Sequence, residues 1–68
     1  MKLKVNHVEK ICLAEALNVA DLLKDLDVSS WQGLAVALNQ KVVPRSEWNS
    51  QNLSENDDVL IIRPVQGG

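Results

Sequence analysis

The sequence predicts an α+β fold in which one short helix covers one face of a β-sheet of about five strands. Three observations lead to this prediction. Several segments alternate in polarity or size with a period of two, one segment has apolar residues at helical spacing, and a continuous apolar run lies near the C-terminus. The chain has 68 residues, of which 46% are hydrophobic, and this suffices for one small core.

The N-terminal residues predict a β-hairpin. Lys2–Val5 and Glu9–Leu13 each alternate, and Asn6-His7 between them is a turn sequence. Residues 18–28 predict the helix, whose apolar stripe is Val19, Leu22, Leu23 and Leu26. Asn18 is a favourable N-cap, and Asp21 suits the positive end of the helix dipole. We expect about 8–10 helical residues, followed by a loop at Ser29-Ser30.

A second hairpin is predicted after the helix. Its first strand has a bulky face, Leu34, Val36 and Leu38, and a small face, Ala35 and Ala37. Asn39-Gln40 connects it to Val42-Val43, although Gln40 is a poor fit to a type I′ turn, which needs positive φ at both central positions. Pro44 ends this strand because proline lacks an N–H donor.

The remaining residues predict an irregular segment, a central strand and a tail. Residues 45–57 are expected to be irregular, with one helical turn around Ser46–Trp48 and a turn at Asn56-Asp57. The apolar run Val59–Ile62 predicts a central strand, and Pro64 ends sheet pairing. We therefore expect one domain over residues 1–64 and a flexible tail over 65–68.

Composition argues against several classes of function. The net charge is −2 and no basic cluster occurs, so we do not expect nucleic-acid binding. One cysteine and one histidine allow neither an internal disulfide nor an ordinary metal site, and a His7–Cys12 pair is the one conceivable nucleophilic arrangement. No apolar run approaches the roughly 20 residues of a membrane span, so we expect a cytoplasmic protein.

The terminal Gly67-Gly68 pair is the main candidate for chemistry, although a frayed end or a cloning scar is an alternative. Glycine allows the end of a chain to pass through a narrow enzyme channel, because it has no side chain and permits many backbone angles. The Gly68 carboxylate could then attack the α-phosphate of ATP and form an acyl-adenylate. Sulfur would convert this adenylate to a thiocarboxylate, and an amine would convert it to an amide.

The whole chain resembles the ThiS family, the ubiquitin-like sulfur carriers of thiamine biosynthesis. The matching segments are Asn18–Leu23, Ala35–Asn39, Val42–Trp48, Asp57–Ile62 and Val65–Gly68. Val43-Pro44-Arg45 followed by Trp48 is the most discriminating of these. The chain departs from the family at Gln40 and Asn56, where glycine is usual, and Pro64 resembles relatives from molybdopterin synthesis.

The resemblance implies a β-grasp fold, a mixed sheet around one helix with parallel first and last strands. It also implies that an E1-like, ThiF-like adenylyltransferase consumes ATP to activate Gly68. Val65, Gln66 and Gly67 would thread into that enzyme. A sulfur donor system with cysteine desulfurase would then form the thiocarboxylate, and a ThiG-like thiazole synthase would take the sulfur. The carrier itself would bind no cofactor or metal and would not be an enzyme.

The resemblance further implies a partner-binding face, because it places Val59 and Ile61 inward. The predicted partner-binding residues are Leu60, Ile62, Ala35, Ala37 and Arg63. The first four would form an exposed apolar patch, typical of binding surfaces, unless a loop covers it. Arg63 would steer docking by its charge, and Trp48 is expected to pack residues 45–57 onto the domain rather than to anchor a partner.

Other functions stay open at this point. The sulfur could serve a different product, such as molybdopterin or cysteine. The chain could instead be a ubiquitin-like protein modifier or a noncovalent interaction module. A noncovalent module has no need of a free Gly-Gly end, so the tail distinguishes it from a carrier.

Overall fold

The computed structural model describes residues 1–28 and 30–63. Ser29 and residues 64–68 lie outside the described residues. The predictions of a loop at Ser29, of an end to pairing at Pro64 and of a tail over 65–68 therefore fall outside them as well.

One helix and a five-stranded sheet form the body of the domain. The strands are β1 (Lys2–Val5), β2 (Val8–Ile11), β3 (Leu17–Asn18), β4 (Ala35–Leu38), β5 (Lys41–Val43), β6 (Asn52–Leu53) and β7 (Asp58–Ile62), and the helix α1 is Val19–Asp25. The order across the main sheet is β2-β1-β7-β4-β5, and β3 pairs with β6 in a separate two-stranded sheet. The predicted α+β class is confirmed.

The main sheet is mixed. β1 and β7 are parallel neighbours, with Lys4 opposite Asp58 and Val5 opposite Val59, whereas its other strand pairs are antiparallel. β7, the last strand of the described residues, is therefore the middle strand of the sheet. The parallel first and last strands that the resemblance implied are confirmed.

The helix begins as predicted and is shorter than predicted. The Asp21 N–H donates to Asn18 Oδ1 at 2.7 Å, and the Asn18 N–H donates to Asp21 Oδ2 at 3.3 Å, so the two residues form a capping box. The Val19 and Ala20 amides donate to the Gln51 and Trp48 carbonyls. The first helical donors thus all have partners, which offsets the small number of turns. The helix has 7 residues because Asp27 adopts a positive φ of 58° directly after the Leu26 cap.

Replacing Asn18 with alanine is expected to lower the free energy of unfolding by about 1 kcal/mol, because the Asp21 amide loses its acceptor. Urea unfolding followed by circular dichroism measures the change. Asn18→Ser is the matched control, since serine retains a capping oxygen but loses the bond from Asn18 Nδ2 to the Asn49 carbonyl. If the alanine and serine variants are equally stable, the cap contributes nothing.

Both predicted hairpins form with two-residue turns. Asn6 and His7 have φ of 50° and 70°, and Asn39 and Gln40 have φ of 50° and 72°, which are the signs of a type I′ turn. Gln40 therefore does adopt the conformation that it fits poorly. Asn39 offsets this cost, because its side chain accepts from the Asp58 N–H at 2.9 Å and donates to Asp57 Oδ1 at 3.0 Å.

Two predictions of secondary structure were partly wrong. The second strand was expected to reach Leu13, but it ends at Ile11, and Leu13 is fully exposed. The segment 45–57 contains the predicted helical turn, a 3-10 turn over Arg45–Glu47, and also the short strand β6, which was not predicted. β6 is held by pairing with β3 rather than by its own sequence.

The core lies between α1 and the inner face of the main sheet. The buried residues are Leu3, Cys12, Val19, Ala20, Leu22, Leu23, Leu34, Val36, Val43, Trp48, Leu53, Val59 and Ile61. Every position of the predicted helix stripe packs in or against this core, with Leu26 partly buried at its rim. Among the described residues, no helix has the length and apolar character needed to cross a membrane.

Candidate functional site

The face of the main sheet opposite α1 carries the predicted partner-binding residues. Ala35 lies opposite Ile62 and Ala37 lies opposite Leu60 across the β4–β7 pair. Residues directly opposite in an antiparallel pair project to the same side, so these four side chains share one face. We refer to this face as the open face.

Burial along β7 agrees with the predicted directions. Val59 and Ile61 are buried, whereas Leu60 is 37% exposed and Ile62 is 52% exposed. Val59 and Ile61 therefore point towards the helix, and the predicted inward and outward assignment is confirmed. No part of the described chain buries Leu60 and Ile62 as the alternative of a covering loop would require.

Val42 extends the apolar surface by one strand, and the sequence reasoning missed it. It lies opposite Ala37 in the β4–β5 pair and is 77% exposed. The row Leu60, Ala37 and Val42 therefore crosses three strands. The apolar patch is defined here as Leu60, Ile62, Ala35, Ala37 and Val42. Counting outward from the two-residue turn at Asn39-Gln40 would have identified Val42, because the turn fixes the register.

The opposite half of the open face is charged. Leu3 and Lys10 are paired, and Lys10 Nζ lies 3.2 Å from Asp25 Oδ2 of the helix, so both face inward. Lys2 and Glu9 therefore face outward, and Lys2 Nζ lies 3.2 Å from Glu9 Oε1. Ile11, at the outer edge of this half and 66% exposed, is separated from the apolar patch by β1. The open face thus has a charged half on β1 and β2 and an apolar half on β4, β5 and β7.

The rest of the predicted site divides between the described and the undescribed residues. Arg63 is exposed and directly follows β7. Val65, Gln66, Gly67 and Gly68 lie outside the described residues. The end of β7 nevertheless brings the chain to Arg63 at the edge of the apolar patch, next to Ile62.

The described residues do not assemble the conceivable nucleophilic pair. His7 is exposed in the first turn, and Cys12 is buried beyond the far end of β2. They are five positions apart along a mostly extended chain, which corresponds to roughly 16 Å. Within residues 1–28 and 30–63, no three His, Cys, Asp or Glu side chains are grouped as a metal site requires.

Trp48 is a core residue. It is 1% exposed, and its Nε1 donates to the Val43 carbonyl at 2.8 Å. Its ring packs edge-to-face against Trp31, with ring centroids 5.7 Å apart, and the Arg45 guanidinium lies 5.9 Å from its centroid. The expected packing role is confirmed, and such a buried ring is not available to anchor a partner.

Known proteins share this fold over the full chain. The ThiS family model matches residues 2–68. The sulfur carrier protein ThiS of Escherichia coli strain K12 is 32% identical over 68 residues, which is all of both chains. The crystal structure of the thiamine biosynthesis protein ThiS from Geobacter metallireducens superposes with a TM-score of 0.87, at 32% identity, over all of both chains.

A solution structure of the same Geobacter metallireducens protein superposes with a TM-score of 0.84 and covers all of this chain and 88% of that one. The β-grasp fold that the resemblance implied is therefore confirmed. The family match begins in β1 and continues through β7 to the two terminal glycines. The chain belongs to the ThiS family.

Proposed function

We propose that this chain is a sulfur carrier of thiamine biosynthesis and that its Gly68 carboxylate is the carrying group. The observation that supports the proposal is the family match over residues 2–68, which includes Gly67-Gly68 at the position where a carrier needs a free carboxylate. The chain acts as a protein co-substrate of partner enzymes and not as an enzyme itself.

The first step is activation by an E1-like, ThiF-like adenylyltransferase. A Gly68 carboxylate oxygen attacks the α-phosphorus of ATP, pyrophosphate leaves, and an acyl-adenylate forms. Gly67, Gln66 and Val65 occupy the channel to the nucleotide, where a small terminal pair limits steric obstruction. The carrier contributes the reacting carboxylate, and the partner contributes ATP binding.

The second step replaces AMP by sulfur. A persulfide supplied by cysteine desulfurase attacks the acyl carbon of Gly68, AMP leaves, and an acyl disulfide forms. A thiol reductant then cleaves its S–S bond, so that Gly68 ends as a thiocarboxylate and the donor is released as a disulfide. A ThiG-like thiazole synthase then consumes this sulfur. Both partner enzymes must bind the same small carrier domain, so we expect them to share a docking surface on it.

The apolar patch is the proposed docking surface. Leu60, Ile62 and Val42 are exposed apolar side chains on the two strands that flank β4. Ala35 and Ala37 on β4 have short side chains, so no bulky group protrudes between them. A contiguous apolar surface of this kind is characteristic of interaction sites. Arg63 adds one positive charge where the chain leaves the patch, and it is proposed to steer docking.

Deleting Gly68 is expected to abolish thiocarboxylate formation while leaving the fold intact, because the core of the described residues is built from side chains between Leu3 and Ile61. The assay incubates the protein with the E1-like enzyme of its own genome, ATP and a sulfur donor, and then measures intact mass. Wild type should gain the mass of one oxygen replaced by sulfur.

Two controls make this assay decisive. Omitting ATP should leave the wild-type mass unchanged, because the carboxylate is not activated. Circular dichroism of the deletion variant should match wild type. If wild type with its own partner forms neither adenylate nor thiocarboxylate, the proposed function is wrong.

A further inference from the structure

The Asn6 side chain makes a long-range contact with the end of β7. The Ile61 N–H donates to Asn6 Oδ1 at 2.7 Å in a partly buried setting, although the two residues are 55 positions apart in sequence. Asn6 is the first residue of the turn between β1 and β2, with φ of 50°. The contact thus joins the first turn of the chain to its last strand.

The hydrogen-bond pattern explains why a side chain is needed there. The Lys4 N–H donates to the Asp57 carbonyl and the Asn6 N–H to the Val59 carbonyl, both at 2.9 Å. In a continued parallel ladder, the Ile61 N–H would next bond to the backbone carbonyl of Asn6. Because Asn6 turns into the left-handed region, its side-chain oxygen takes the place of that carbonyl.

The contact lies where β7 loses its neighbour on one side. β4 pairs with β7 as far as Ile62, opposite Ala35, whereas the β1 ladder ends at Val5 opposite Val59. On the β1 side, the Ile61 N–H donates to the Asn6 side-chain oxygen. The end of β7 just before Arg63 is therefore held on that side by one side chain.

We propose that Asn6 is a positioning residue that fixes the root of the C-terminal segment for activation by the partner enzyme. This inference rests on the proposed function. Five residues follow Arg63, and a fully extended segment of that length reaches at most roughly 16–18 Å. A displacement of Arg63 therefore shifts the region that Gly68 can reach, and release of Ile61 and Ile62 would also displace one side chain of the apolar patch.

The expected kinetic effect follows from the competent fraction of the carrier. A carrier in which the end of β7 has separated from Asn6 does not present Ile62 and the tail together. The apparent affinity for the partner therefore decreases in proportion to the fraction of carrier molecules in which this contact is intact. Once the carrier is bound, the partner itself holds the segment. Loss of the Asn6 oxygen should therefore raise KM for the carrier and leave kcat nearly unchanged.

The test compares three variants in the full chain. Asn6→Gly retains the positive φ of the turn but removes the oxygen, and Asn6→Asp retains both a side-chain oxygen and a tolerated positive φ. His7→Gly is the matched control, because it changes the same turn without touching the contact. Amide hydrogen exchange at Ile61, urea unfolding, and the kinetics of adenylation with the partner enzyme and ATP are measured for each.

Asn6→Gly is expected to speed exchange at Ile61 and to raise KM for the carrier by about two- to tenfold, the range for one hydrogen bond. Asn6→Asp and His7→Gly should remain near wild type in both measurements. Unchanged exchange at Ile61 in Asn6→Gly, or faster exchange with unchanged KM, would overturn the inference. An equal KM change in His7→Gly would also overturn it, since the turn rather than the oxygen would then be responsible.

The two proposals fail in different ways. If the wild-type chain is not adenylated by its partner, the proposed function is wrong and the positioning role falls with it. If wild type is adenylated and Asn6→Gly is adenylated with the same KM, only the positioning role is wrong. Unfolding curves separate both cases from a variant that has lost its fold.

Discussion

Replacing Trp48 with alanine is expected to lower the free energy of unfolding by about 3–5 kcal/mol, the range for large aromatic side chains in a core. The ring is 1% exposed and its Nε1 bonds to the Val43 carbonyl at 2.8 Å. Small domains have total stabilities near the low end of about 5–15 kcal/mol, so the variant should be largely unfolded at modest urea concentrations.

Trp48 has this large effect because its side chain joins separate parts of the domain. Its Nε1 bonds to the Val43 carbonyl of β5 and its ring contacts Trp31. Trp48→Phe retains most of the apolar surface and removes the indole donor, so its cost should be smaller, about 1–3 kcal/mol.

Trp31→Ala is the matched control for Trp48→Ala. Trp31 belongs to the same aromatic pair, but it is only partly buried and lies at the rim of the core. Urea unfolding followed by far-ultraviolet circular dichroism avoids dependence on tryptophan fluorescence. If Trp31→Ala costs as much as Trp48→Ala, the central position assigned to Trp48 is incorrect.

Replacing Ile62 with aspartate is expected to weaken binding to the adenylyltransferase by tenfold or more, which corresponds to at least about 1.4 kcal/mol. Ile62 is half-exposed in the apolar patch, so the charged variant should fold. In the complex, the carboxylate would be removed from water without a partner, which is costly. Binding is measured by titration calorimetry, and folding by urea unfolding.

Ile11→Asp is the control with the same chemical change on the same face. Ile11 is 66% exposed but lies on β2, across β1 from the apolar patch. It should bind the partner with wild-type affinity. Equal loss of binding in both variants would show that docking is not confined to the apolar half, and an unfolded Ile62→Asp would show that Ile62 is a core residue.

Val59→Asp completes this series on the inner face. Val59 is completely buried two strand positions before Ile61, so a carboxylate there has neither water nor a partner. This variant should fail to fold. The contrast between Val59 and Ile62 on one strand tests the two faces of β7 directly.

The local features of the fold were predictable from sequence because their causes are local. Asn18 and Asp21 are three residues apart, and both were expected at the start of the helix, where they form a capping box. The alternation around Ala35 and Ala37 correctly indicated that these two side chains share one face of their strand. In these cases the residues concerned lie within three positions of each other.

Features that depend on distant pairing were not predictable in the same way. β6 is two residues long and is recognisable only by its pairing with Leu17–Asn18. The bond between Asn6 and Ile61 joins residues 55 positions apart, and an asparagine in a turn gives no signal of such a partner. Val42 is an intermediate case of predictability, because its position beside Ala37 follows from the hairpin register once the turn is known.

The central position of β7 has a consequence for how the chain folds. β1–β2 and β4–β5 are two hairpins that share no strand, and β7 alone joins them. Until Asp58–Ile62 is available, neither hairpin has a sheet to extend, and isolated hairpins are marginally stable in water. During synthesis the main sheet therefore cannot form until β7 has been made. Folding should be a single cooperative event, and any product that stops short of β7 should remain unfolded.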